Sequence, residues 1–170
     1  TSDLPEKIFR NLGEHMNQVQ TRMSRFLMDE EYEAEFARSE WFFSGFMVEE
    51  EWDKLVEQNG DLAMAGLDFY LYDYHMMAND KRPIDVYYEQ AKAGKYGKFS
   101  KPALEFQEIL TETKPIIFTI EECLEEGLYT IKEFFSGESF PIMLPIEGDH
   151  DVEEFKGVLF YGHIFYNNTI

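Results

Sequence analysis

The feature that most constrains this chain is a change of hydrophobic period at Pro115. Before it, apolar side chains recur at three- and four-residue steps; after it they alternate. The first period lines one face of a helix and the second one face of a strand. The expected class is therefore α+β, with a helical N-terminal region over residues 1–114 and a small C-terminal antiparallel β-meander or partly closed barrel over residues 115–170. So short a sheet is marginal alone, and it is expected to pack on the helices.

Within the helical region, Leu4, Ile8, Leu12, Met16, Val19, Met23, Phe26 and Leu27 share one helical face, with Asp3 as amino-terminal cap and Pro5 in the first turn. Glu30 to Arg38 continues this pattern, placing Tyr32 and Phe36 on one side. Ser39 is expected to cap a short helix carrying Trp41, Phe42, Phe43 and Phe46, and Glu49 to Gln58 forms another, stopped by Asn59-Gly60. Asp61 to Met77 is apolar on more than one side, as a buried helix is. Pro83 opens a helix ended by Gly94, and Ser100 with Pro102 opens one through about Glu112.

Past Pro115, Ile116, Phe118 and Ile120 define one strand face, and Glu126-Gly127 turns the chain into a second strand on which Tyr129, Ile131, Glu133 and Phe135 align. Ser136-Gly137 predicts a tight hairpin turn, after which Phe140, Ile142 and Leu144 share a face. Gly157 to Tyr166 predicts a fourth strand, in which Gly162 would allow a bend or bulge toward closure.

Charge narrows the partners. Thirty-four acidic residues against fifteen basic ones give a formal charge of -19, which repels nucleic acid and anionic lipid. Residues 115–170 carry eleven acidic and two basic side chains, so the surplus is densest there. No apolar run approaches the roughly 20 residues of a membrane span, and Thr1-Ser-Asp-Leu-Pro5 lacks the form of a signal peptide. A cytoplasmic location without membrane association is expected. The chain starts without Met and ends shortly after its last strand, as a fragment of a longer protein would. The single cysteine, Cys123, allows no internal disulfide and is expected to be a buried small hydrophobe.

Leu67-Asp-Phe-Tyr-Leu-Tyr-Asp73, Arg82-Pro-Ile-Asp-Val-Tyr-Tyr88, Phe118-Thr-Ile-Glu-Glu122, the run Leu128 to Phe140 and Gly157-Val-Leu-Phe-Tyr-Gly-His-Ile164 form a further pattern. It resembles a family of uncharacterised bacterial proteins often associated with a SEC-C zinc-binding motif. In that family an aromatic pair precedes an aspartate, and a hairpin carries Thr-Gly-Glu at its tip; here the tip reads Ser136-Gly-Glu138. The likeness spans about Leu67 to Tyr166. The SEC-C motif itself needs clustered Cys and His ligands that this chain lacks, so the resemblance implies neither zinc nor an activity.

Known catalytic and cofactor patterns are weak here. The histidines at 15, 75, 150 and 163 show no ligand spacing. Asp149, Asp151 and Glu153 alternate in an acidic loop, but the sixth-place glycine of a calcium loop is missing and Phe160 stands where its closing glutamate would be. Glu122 beside Cys123 disfavours a thiolate. Ser44 and Ser136 lack a nucleophile elbow, and no glycine-rich phosphate loop occurs. No catalytic residue, metal or cofactor is assigned on these grounds.

Two constellations remain. Asp73, a lone acid among Tyr70, Tyr72 and Tyr74, forms with Tyr72 and His163 a candidate pocket where helices meet sheet, although a structural acid is the better reading. Lys92, Lys95, Lys98 and Lys101, interleaved with Tyr96 and Phe99, form a candidate polyanion contact. Its plainer reading is a helix ending in lysines that complement its dipole. The expected function is a non-catalytic protein-interaction module with an acidic surface and a protein partner. Alternatives are an enzyme with a site at the helix–sheet junction, or a nucleic-acid-associated protein using the lysine loop or acidic mimicry.

Overall fold

A computed structural model describes residues 12–125, 127–144 and 152–164. Leu4, Ile8, Asp3 and Pro5, the acidic residues Asp149 and Asp151, His150 and Tyr166 lie outside these described residues. The chain divides into two compact units, Thr1–Thr113 and Lys114–Ile170. Among the described residues the first contains six α-helices: α1 (Leu12–Leu27), α2 (Glu33–Phe43), α3 (Glu49–Gln58), α4 (Gly60–Tyr72), α5 (Pro83–Lys92) and α6 (Lys101–Thr111). None of them is long and apolar enough to cross a membrane.

Val19, Met23 and Phe26 of α1 are buried at the expected helical spacing. They join Tyr70 and Leu71 of α4, Ile84 and Tyr87 of α5, and Phe106 and Leu110 of α6 in one core. A 3₁₀ turn, Glu30–Tyr32, separates α1 from α2, with the Asp29 carboxylate accepting from the Glu31 amide. The Ser39 expectation is corrected. Ser39 is fully buried inside α2, and its hydroxyl donates to the Phe36 carbonyl at 2.7 Å. A serine that bonds back along its own helix needs no helix start. Pro83 lies in the first turn of α5 and the Ser100 side chain accepts from the Ala103 amide to cap α6, as read. The helix expected over Asp61 to Met77 instead stops at Tyr72, because the Tyr74 hydroxyl and the Met77 amide turn to donate to Glu35.

Arg82 holds the ends of two helices. Its guanidinium pairs twice with Asp85 at 2.9 Å, and donates to the carbonyls of Tyr72 at the end of α4 and of Thr111 at the end of α6. A cation at two helix C-termini satisfies orphan carbonyls and complements both dipoles.

The second unit is a four-stranded antiparallel sheet in the order β3-β2-β1-β4, formed by β1 (Lys114–Glu125), β2 (Leu128–Glu133), β3 (Ser139–Met143) and β4 (Phe160–Ile164). The first three strands form a meander, and β4 returns beside β1, which makes a Greek key and leaves the sheet open. Ile116, Phe118, Ile120, Tyr129 and Ile131 form its buried face, against which Phe155 of the 3₁₀ turn Val152–Phe155 packs.

Three local expectations change in this unit. The β2–β3 connection runs through residues 134–138, with Phe134 and Phe135 exposed, because the Glu133 carboxylate accepts from the amides of Phe135 and Ser136 and ends the strand early. The β1–β4 register is unbroken through Gly162, and the irregularities lie instead in β1–β2, between Ile120 and Glu122 and between Cys123 and Glu125. Cys123 is exposed, since β1 runs past its buried segment there.

Candidate functional site

The Ser44-Gly45 pair ends α2 in a way that builds a surface. Gly45 takes a left-handed φ of 66°, its amide donates to the Phe42 carbonyl at 3.1 Å, and the Phe46 amide donates to the Trp41 carbonyl at 2.9 Å. These two bonds make a Schellman stop, which brings the residue after the glycine back onto the last turn. Accordingly the Phe46 and Trp41 rings meet edge to face at 4.6 Å, with Phe42 5.4 Å from Phe46. Phe46 itself has φ 64°, a conformation that costs a residue with a side chain about 1–2 kcal/mol. The aromatic cluster is nonetheless open to solvent: Trp41 is 55%, Phe42 47% and Phe46 56% exposed.

From this corner the chain enters α3, and a pocket of about 500 Å³ opens between the end of α2 and the start of α3. Trp41, Phe46 and Trp52 supply rings; Glu40, Glu49 and Asp53 supply carboxylates; no basic side chain lines it. Partial burial pushes the Glu40 carboxyl above its ordinary range, and the nearby Asp53 and Glu49 push it further. The floor is fixed from behind, where Phe43 contacts Trp52 at 5.8 Å and Phe69 of α4 at 5.5 Å. Gly66 of α4 permits this approach, since a Cβ there would sit 3.3 Å from the Phe43 ring.

A second concavity, of about 600 Å³, is lined by Lys81, Asp85, Tyr88, Glu89, Lys92 and Thr111. Its charges are met internally. Lys81 donates to Glu89 at 2.8 Å, Asp85 pairs with Arg82, and Lys92 lies 5.1 Å above the Tyr88 ring.

Apart from Lys92, which lines the second concavity, the residues singled out from sequence fall elsewhere. Tyr72 ends α4 and Asp73 caps it, its amide donating to the Phe69 carbonyl at 2.9 Å; both belong to the helical unit, whereas His163 lies on β4 of the sheet unit. The Tyr72 hydroxyl is pushed up to about 12 by burial and by Asp68. It therefore keeps its proton at neutral pH. In the lysine loop, Lys95 pairs with Asp29 at 3.0 Å and its hydrogen bond holds that carboxyl below its ordinary range. Tyr96 is 6% exposed and donates to Gln90, and the Arg22 guanidinium covers Phe99 at 4.1 Å. With Tyr96 buried and Phe99 covered, the interleaved rings do not stand ready to stack a base. Lys98 is exposed and Lys101 lies 3.6 Å from Glu105.

Among the described residues, no group of three or more His, Cys, Asp or Glu side chains is placed to hold a metal ion. No family model, curated protein or solved structure matches the chain.

Proposed function

We propose that this chain is a non-catalytic protein-interaction module that holds a protein partner at the corner between α2 and α3. The observation that carries this reading is the open cluster of Trp41, Phe42 and Phe46, assembled on a helix stop that keeps Phe46 in a left-handed backbone. Large rings left in water beside a pocket are the usual anchors of protein interfaces. Phe42 also meets the ring of the buried Tyr74 at 6.4 Å, so part of the cluster is ordered before anything binds. The acidic surface makes nucleic acid and anionic lipid poor partners. Cytoplasmic residence belongs to the same proposal, because an exposed free thiol such as Cys123 suits a reducing compartment. The likeness to the SEC-C-associated family adds no activity to this reading.

The test is affinity capture from a lysate of the source organism on immobilised full chain, comparing wild type with Trp41→Ala and Phe46→Ala, with and without nuclease. The expected result is a protein retained by wild type, unaffected by nuclease and lost from both variants. Retention that survives both substitutions, or that disappears with nuclease, contradicts the proposal.

A further inference from the structure

We infer that the α2–α3 pocket receives the charged end of a lysine or arginine side chain presented by the partner, an inference that rests on the interaction-module reading above. The first reason is charge. Glu40, Glu49 and Asp53 line a pocket that no basic side chain lines, whereas in the second concavity Lys81 meets Glu89, Asp85 meets Arg82 and Lys92 sits over the Tyr88 ring. Like charges crowded on a partly apolar wall raise one another's energy, and a cation placed among them removes that cost. The N-terminus of α3 points the other way, but its dipole amounts to roughly half a positive charge against three carboxylates.

The second reason is shape and lining. Trp41 and Phe46 offer exposed rings, and a cation over an aromatic face gains attraction that an apolar guest does not. A lysine or arginine also brings an apolar stem, which packs on such rings while its head reaches the carboxylates. A volume of about 500 Å³ admits that side chain with part of its backbone. The net charge of -19 would steer a basic segment toward this surface from a distance.

The chain supplies its own probe, because both of its tryptophans, Trp41 and Trp52, line the pocket. Tryptophan emission of the full chain is followed while adding short glycine-leucine peptides that carry a single central lysine, arginine or norleucine. The lysine and arginine peptides should shift the emission in a saturable way, weaken with added salt, and lose about fivefold in affinity with Glu40→Gln. Asp53→Asn should act in the same direction, which guards against one variant that folds poorly. Equal, salt-independent binding of the norleucine peptide overturns the cationic guest but leaves an apolar interaction module standing. No response to any peptide, with the captured protein still bound by Trp41→Ala, overturns both readings of this corner.

Discussion

Glu35 and Glu40 sit on the same helix, α2, in opposite surroundings. Glu35 is 9% exposed, which alone would push its carboxyl up, yet the net direction is down. The Tyr74 hydroxyl donates to it at 2.7 Å, the Met77 amide at 3.2 Å and the Arg38 guanidinium at 3.1 Å. Glu40 is less buried, has other carboxylates for neighbours, and is pushed up. One acid clamps the segment after α4 onto α2; the other is left with a need that the fold does not meet. The contrast separates a carboxylate spent on stability from one held for a guest, and each prediction below can break or sharpen it.

The largest effect is expected at the clamp. Glu35→Ala strands the Tyr74 hydroxyl and the Met77 amide, and should cost about 2–3 kcal/mol in urea unfolding. Tyr74→Phe removes one charge-assisted bond and should cost about 1.5 kcal/mol. If both substitutions leave stability unchanged, the clamp is not structural. Next comes the corner itself. Gly45→Ala adds a Cβ that meets nothing within 4 Å, so its only cost is the left-handed backbone, about 1 kcal/mol by thermal unfolding. A larger loss would mean that the Schellman stop also holds Trp41 and Phe46 in place.

Titration gives the two acids opposite signs. Because Glu35 binds its proton less readily when folded, its stabilisation is present above the ordinary glutamate value of 4.5 and is lost as pH falls through the lowered folded value. Glu40 binds its proton more readily when folded, so its contribution falls as pH rises from 4.5 through the raised value. Basic-peptide binding should weaken over that same window as pH falls and Glu40 takes up its proton. Binding that stays flat there removes Glu40 from the guest's site.

Much of this arrangement was legible in the sequence where local chemistry decides structure. Pro83, Ser100 and Gly94 act at helix ends through their own backbone preferences, and Ile116, Phe118 and Ile120 alternate because β1 has one buried face. Ser39 misleads because a serine can cap a helix or bond within one, and only the surrounding chain chooses. The place of β4 beside β1, and the exposure of Cys123, depend on pairing between distant segments. The candidate pocket was half visible. Ser44-Gly45 after an aromatic run is a helix stop that could have placed Phe46 over Trp41. That Glu40 would face Glu49 and Asp53 follows from how α3 leaves the corner, which no local pattern encodes.

The smallest expected change is also the most telling, because its sign differs between two readouts of one protein. Glu40→Gln removes a crowded charge, so thermal unfolding should rise by about 1–2 °C while affinity for the lysine peptide falls. A variant that is less stable, or that binds the peptide as well as wild type, would contradict the view that this carboxylate is held at a cost for a cationic guest.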